Sequence, residues 1–383
     1  MASATGETLP VFGESYFSAT TQTFAPLDRV PVPADYVLGP GDELYIRTWG
    51  NIDIDYRATI DRNGQVNIPR VGSFTLAGVR ASDIGSVAPA EFKRLPPWLK
   101  IQLPGSGDYA ETKALLRANK LVTVCEEARC PNLGHCWARG TATIMILGDL
   151  CTRRCGFCAV APGRPNGFVD WDEPRRVGES VAAMNLRHTV ITSVARDDLK
   201  DGGSTVFAQV IHEIRKRSAT VIEVLIPDFR GSMADLQRVI DARPEVINHN
   251  IETVARLHSV VRPSARYDRS LELLKRVKAS GAGIKAKSGI MVGLGETAAE
   301  MRRTFEDLRA HDCDLLTIGQ YLRPSPMHLP VVEYVHPDQF ALWRDEALSL
   351  GFESVASGPL VRSSYHADLL AGTVKPGEES KAG

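Results

Sequence analysis

No run of apolar residues in this 383-residue chain approaches the ~20 that a membrane-spanning helix needs, so no membrane partner is expected. A charge excess of one sign is missing too. Lys and Arg number 45 against 46 Asp and Glu, a formal net charge of −1, which offers nothing to draw the chain onto nucleic acid. Residues 1–30 have neither a basic start nor an apolar block, so no secretory leader is expected and the expected location is cytoplasmic. Thiols stay reduced in the cytosol. The seven cysteines are therefore candidate metal ligands or core residues rather than disulfide partners. The nine histidines show neither H-E-x-x-H nor another paired metal spacing.

Residues 1–90 contain no lysine and no cysteine, and their 6 Arg stand against 10 Asp and Glu, so this part carries −4 and the remainder +3. The stretch "DYVLGPGDELYIRTWGNIDIDYRATIDRNGQVNIPRVGSFTLAGV" alternates apolar and polar residues around the turns "GPGD" and "RNGQ". A period of two with Asn63-Gly64 as hairpin signal predicts a small antiparallel β unit over 35–85. Through "YVLGPGDELYIRTWG" and "IDRNGQVNIPRVG" it resembles the N-terminal domain of polysaccharide export proteins, and it is read as a fused remnant without their role across the cell envelope. Residues 1–34 and 376–383 are expected to be flexible ends, and 86–110 a linker and lead-in.

Beyond about residue 93 the texture changes to alternating strand and helix signals. Candidate strands are 141–148, 189–194, 221–227, 246–252, 284–294 and 315–321. They are short, β-branched and nearly continuously apolar, as parallel strands buried on both faces should be. Segments such as "DRSLELLKRVKASG" and "TAAEMRRTFEDLRAHD" between them are apolar at helical spacings. Six βα repeats without a doubly wound nucleotide fingerprint predict an α/β fold, a partial (β/α)6 TIM-like barrel whose chemistry gathers at the C-terminal ends of its strands. A small β-rich segment precedes it.

Directly after the first of these strands comes "CTRRCGFC", which places Cys151, Cys155 and Cys158 in the pattern C-x3-C-x2-C. On a helix those positions share a face, so a thiol-bearing core stripe is one reading. A Cys155/Cys158 redox pair leaves Cys151 without a role, and a structural zinc site wants four protein ligands. Three thiolates on a four-iron cluster leave one iron open for a ligand. Upstream, Cys125, Cys130 and Cys136 follow C-x4-C-x5-C, steps that scatter around a helix; with Pro131 and Gly134 they suggest a loop wrapping a metal. Cys313 has no such partners and is read as packing.

C-x3-C-x2-C at the end of the first strand of a partial barrel resembles the radical S-adenosylmethionine superfamily. In that family the open iron is chelated by the amino and carboxylate groups of S-adenosylmethionine, which is split to give a 5′-deoxyadenosyl radical, suited to unactivated C–H bonds. Seven stretches in order, "VCEEARCPNLGHCW", "GTATIMILGDLCTRRCGFCAV", "ITSVARDDLKDGG", "NHNIETV", "KSGIMVGLGET", "LTIGQYLRPS" and "GPLVRSSYHAD", resemble the lipoyl synthase family from about Leu95 to Lys375. The resemblance implies a radical domain over 111–375 and two [4Fe–4S] clusters. Cys151, Cys155 and Cys158 would hold the cluster that binds S-adenosylmethionine. Cys125, Cys130 and Cys136 would hold an auxiliary cluster whose fourth ligand is the serine before tyrosine in "RSSY", Ser364. It further implies insertion of two sulfur atoms at C6 and C8 of a protein-bound octanoyl chain, with the auxiliary cluster as sulfur donor. The three cysteines of the first cluster and Ser364 are then the expected catalytic residues. The implied partners are octanoylated lipoyl-carrier domains (glycine cleavage H protein, 2-oxoacid dehydrogenase E2 subunits) and a low-potential electron donor.

Other residues are candidates for contacting S-adenosylmethionine. Gly293, Gly295 and Glu296 in "GLGET" could let backbone approach a nucleoside, or form a strand-to-helix turn with Thr297 as N-cap. Asp198, with Asp197, could orient the methionine or ribose, or belong to a solvated loop. Asn248, Asn250 and Glu252 alternate along the fourth strand and are expected to face the barrel interior together.

Overall fold

The computed structural model describes residues 32–48, 54–68, 72–86, 95–100, 107–138 and 142–372. Most of the two expected flexible ends and of the lead-in at 86–110 lies outside the described residues, and helix Gly107–Ala118 begins inside that lead-in. The chain divides into two compact units, 1–92 and 93–383.

In the first unit β1 (Glu43–Thr48) pairs antiparallel with β2 (Ile54–Thr59), and β3 (Gln65–Ile68) with β4 (Gly72–Thr75). The Asn63-Gly64 turn links the two ladders. There the Asp61 N–H donates to the Gln65 carbonyl at 2.8 Å, and the Asp61 carboxylate accepts from the Asn63 and Gln65 N–H groups at 2.9 and 2.8 Å. Gly64 takes a φ of +75°, and a Cβ there would come 2.4 Å from that of Ala77, so both conformation and space demand glycine. Leu38, Ala58, Ile60, Val66 and Leu76 form this unit's core.

The second unit is built on one eight-stranded sheet in sequence order. β5 (Val122–Thr123) is a short antiparallel edge. β6 (Thr143–Ile146), β7 (His188–Ser193), β8 (Val221–Leu225), β9 (Val246–Asn248), β10 (Lys285–Val292), β11 (Leu315–Gln320) and β12 (Ser354–Gly358) are all parallel. Helices Glu173–Met184, Ser204–Arg215, Met233–Asp241, Tyr267–Ala279, Ala298–Ala310 and Pro337–Ser349 alternate with them. β5 and β12 are opposite edges of the sheet, so the barrel is open. Six strand-helix repeats are thus present, with β12 as a seventh parallel strand beyond the six expected. Its sequence, SVASG, has no apolar run to betray it. β9 is shorter than expected because Glu252 adopts a left-handed φ of +68° and meets β10 only at an isolated bridge to Ile290.

Local signals agree with these elements. Thr297 caps helix Ala298–Ala310 in a capping box with Glu300, and Asn185 ends helix Glu173–Met184 in the left-handed region. Cys313 is fully buried in the main core. Residues 359–372 run from the C-terminal edge of the sheet to its other end, where Leu370 packs with Val246 and Leu315, the first residues of β9 and β11. Among the described residues no helix is long and apolar enough to cross a membrane.

The interior also holds charge. Lys287 donates to Glu223 at 2.7 Å with both side chains fully buried, and Asn248 and His188 approach the same carboxylate at 3.3 and 3.4 Å. Burial pushes the Glu223 carboxyl up, but Lys287 and His188 outweigh it and hold the group at about 2. A depressed carboxyl stabilises the fold above its unfolded pKa of ~4.3 and loses that contribution as pH falls toward about 2. Lys287→Met should therefore cost about 3–5 kcal/mol in urea unfolding at neutral pH, and the deficit should shrink once Glu223 is protonated. An unchanged unfolding midpoint would contradict this.

Candidate active site

The loops that follow the parallel strands meet around a cavity of about 520 Å³. Cys125 and Cys130 reach it from the segment after β5, Cys151, Cys155 and Cys158 from the loop after β6, Asn250 and Glu252 from beyond β9, and Ser364 from the segment after β12. A second cavity of about 50 Å³ lies beside Cys136 and is also lined by Cys125, Cys130 and Ser364. The structure thus gathers all seven expected cluster ligands around two adjoining spaces, with Ser364 on both. All seven cysteines of the chain are free thiols. Among the described residues, no three His, Cys, Asp or Glu side chains converge on a single-ion position.

The loop after β6 is not helical, which removes the reading of 151, 155 and 158 as one face of a helix. It is pinned at its base, where the Cys151 N–H donates to the Ala161 carbonyl at 2.9 Å and the Gly163 N–H to the Cys151 carbonyl at 2.8 Å. Thr152 ties it to the next strand's loop: its hydroxyl donates to the Ala195 carbonyl and accepts from the Asp197 N–H, each at 2.9 Å. Arg153 folds beneath, donating to both Asp197 oxygens at 2.7 and 2.8 Å and to the fully buried Asp228 at 2.6 Å. Its N–H also points at Cys151 Sγ, 3.4 Å away. The upstream trio sits on two short helices, Val124–Glu127 and Leu133–Ala138, joined by the turn that carries Cys130, rather than on an open loop.

A strap, residues 321–329, touches both cysteine segments. Arg129 donates to the Pro324 carbonyl at 3.2 Å, His328 Nε2 lies 3.0 Å from the Cys158 carbonyl, and the Leu329 N–H donates to the Gly156 carbonyl at 2.9 Å. A Cβ at Gly156 would stand 2.8 Å from the Leu329 side chain, which would have to shift to admit it.

Burial dominates the electrostatics. It pushes Cys125 up to about 11 and Cys158 to about 12, and raises Cys130 and Cys155 in the same sense. Such thiols stay protonated at neutral pH unless a cation takes the proton's place. Burial likewise raises the Glu252 carboxyl, against the pull of Arg262. Asn250 donates to Glu252 and Ser363 at 3.1 and 2.6 Å, while its Oδ1 is buried with no partner. Gly289 leaves the room beside it, since a Cβ would come within 2.7 Å of Asn250 Oδ1 and Thr317 Oγ1.

Six other candidates lie outside the cavity lining, among them Asp197, the partner of Arg153. Asp198 is held by Arg196 at 2.8 Å and accepts from the Gly167 N–H. Glu296 accepts from the N–H groups of Gly293 and Leu294, and Gly293 and Gly295 have φ of +94° and +101°, so "GLGET" is the strand-to-helix turn that Thr297 caps. Asn248 faces the interior below the cavity, on Glu223. Sequence reasoning missed Arg153, Arg262, Arg362, Gly289 and Gly319. The two arginines 153 and 362 stand inside quoted motifs, and a glycine inside a strand signals close approach.

Comparisons with known proteins agree with this geometry. Residues 145–308 match the radical SAM superfamily, 86–130 the N-terminal domain of lipoyl synthase of the radical SAM family, and 30–88 polysaccharide biosynthesis/export protein. A lipoyl synthase from Geobacillus sp. (strain WCH70) is 54% identical over 294 residues, 76% of this chain and 98% of that relative. Another, from Symbiobacterium thermophilum, is 55% identical over 74% of this chain and 88% of its own length. The crystal structure of methylornithine synthase matches at 14% identity over 68% of this chain and 87% of that one, with a TM-score of 0.42, too distant to carry an argument.

Glycine at 319 is what allows residues 359–364 to lie against β11, because a Cβ there would be 2.0 Å from the Val361 carbonyl oxygen, whereas one at Gly358 meets only Val361 Cγ2 at 3.4 Å. Gly319→Ala should destabilise the unit by about 1–3 kcal/mol and raise hydrogen exchange across 359–364; Gly358→Ala should stay within about 0.5 kcal/mol. Equal, small effects from both would contradict the close approach.

Proposed function

Because the chain belongs to the lipoyl synthase family of radical S-adenosylmethionine enzymes, we propose that its six clustered cysteines and Ser364 hold two [4Fe–4S] clusters facing one substrate cavity. Membership itself implies one such cluster, S-adenosylmethionine, and lipoyl-carrier proteins as substrates. The chain is a sulfur-inserting enzyme.

The first site fits a cluster with an open iron. Cys151, Cys155 and Cys158 supply three thiol donors from one pinned loop, and the Arg153 N–H is directed at Cys151 Sγ, the kind of hydrogen bond to sulfur that tunes cluster potential. The second donor set, Cys125, Cys130, Cys136 and Ser364, is complete, with three soft sulfurs and one harder oxygen. Loaded with S-adenosylmethionine, the first cluster supplies one-electron chemistry able to remove hydrogen from an unactivated C–H bond. Protein groups do the remaining work. Asn250, with its unpartnered Oδ1, would accept a hydroxyl or amino hydrogen of the nucleoside, and Gly289 keeps that approach clear. Apolar lining from Met145, Leu225, Ile290 and Met291 suits an octanoyl chain and keeps water from a reactive species. Ser364 would hold the auxiliary cluster through the harder, weaker oxygen ligand, and that cluster would supply the sulfur. Two sulfurs would enter the chain at C6 and C8.

The preferred carriers would be octanoylated glycine cleavage H protein and 2-oxoacid dehydrogenase E2 domains, with a low-potential donor supplying electrons. Free thiols throughout suit a reducing compartment, the cytoplasm.

The observation that carries this reading is that Cys151, Cys155 and Cys158 line one cavity together with Cys125, Cys130 and Ser364, and that Cys136 joins these last three at the adjoining space. Incubation with an octanoylated carrier domain, reductant and S-adenosylmethionine should add two sulfurs to the carrier's mass; a carrier of unchanged mass rejects the reading. Cys155→Ala should abolish 5′-deoxyadenosine formation and keep the auxiliary cluster. Ser364→Ala should still form 5′-deoxyadenosine without lipoyl product, and a normal lipoyl yield from it would refute the serine's role.

A further inference from the structure

Arg362 is partly buried and, among the described residues, has no carboxylate partner. Arg153 and Arg196 each face carboxylates. The guanidinium of Arg362, with five N–H donors, donates among the described residues only to the carbonyl of its own neighbour Val361, at 2.7 Å. Among the described residues, the one ionisable group that acts on it is Cys130. A cation withdrawn from water without an anion is costly, so this side chain is built to meet something negative that arrives.

Its surroundings indicate what arrives. Arg362 lines both cavities, as do Cys125, Cys130 and Ser364. Ser364 lies two residues further along the same segment. Room for the guanidinium is made by Gly319, whose missing Cβ would stand 3.3 Å from Arg362 Nη1. A four-iron cluster held by three thiolates and an oxygen ligand carries net negative charge, which grows by one on reduction, and nearby charge tunes its potential. We propose that Arg362 is the counter-charge of the cluster at Cys125, Cys130, Cys136 and Ser364, a positioning residue that favours its more negative state and so raises its reduction potential. The inference rests on the reading that those four residues hold a cluster.

The test compares the full-length protein with Arg362→Gln and Arg362→Lys, each with clusters reconstituted anaerobically, by iron count and by potentiometric EPR of both clusters. The unaltered chain should hold about eight irons, two clusters of four. In Arg362→Gln the auxiliary cluster's midpoint should shift to lower potential while that of the Cys151 cluster stays in place, and Arg362→Lys should keep most of the original value. If the glutamine variant instead loses the auxiliary cluster, iron should fall to about four with the lysine variant still near the unaltered count. An auxiliary midpoint unmoved by glutamine, or moved or lost equally by lysine, overturns the role of charge. About four irons in the unaltered protein overturns the two-cluster reading itself, and this inference with it.

Discussion

Parallel pairing puts the C-terminal ends of β6 to β12 on a single edge, and the cavity depends on that constraint. Cys125 and Ser364 are far apart in sequence, yet both line it, because the first segment precedes one end of the ladder and the other follows its last strand. The open seam matters as much as the strands. Residues 359–372 run from the cavity to the far end of the sheet, where Leu370 packs under β9 and β11, and carry Arg362 and Ser364 into place on the way. Two glycines inside strands make the approach feasible. At Gly319 the Val361 backbone occupies the volume of a Cβ, and at Gly289 the same volume adjoins Asn250 and Thr317.

Charge in this interior is arranged by depth. Near the base of the sheet Lys287 and Glu223 neutralise each other. Higher up, Arg153 is clamped by Asp197 and Asp228 and holds the Cys151 loop from beneath. At the cavity wall, among the described residues, the pairing stops: Asn250 Oδ1 lacks a donor, Arg362 lacks a carboxylate, and Cys125, Cys130, Cys155 and Cys158 are thiols that burial keeps protonated. Unmet hydrogen-bonding capacity costs stability in an isolated protein. Its concentration at one wall, with Glu252 held at a left-handed φ, marks where bound groups complete the structure.

Much of this was legible in the sequence. Apolar β-branched runs announced six of the seven parallel strands, and cysteine spacing with the RSSY tail announced the donors that line the cavities. β12 escaped because SVASG carries no such run and is recognisable only by its pairing with β11. Of the two readings offered for Gly293–Glu296, the strand-to-helix turn capped by Thr297 is visible in the backbone, with Glu296 accepting from its own turn. Asp198, held by Arg196, stands outside the cavity lining. Arg153 and Arg362 stood in plain view inside the motifs. What distinguishes them is partnership, two aspartates for one and none for the other, and that is decided by distant segments that no local pattern encodes.

Two separate cluster sites within one barrel mouth form the centre of the account, and iron counting on paired triple variants tests it most directly. Replacing Cys151, Cys155 and Cys158 together by alanine, or Cys125, Cys130 and Cys136 together, should each leave about four irons per chain out of about eight, with an intact [4Fe–4S] spectrum in the trio that remains. Complete loss of iron from either variant, or no loss from one of them, would contradict two independent sites.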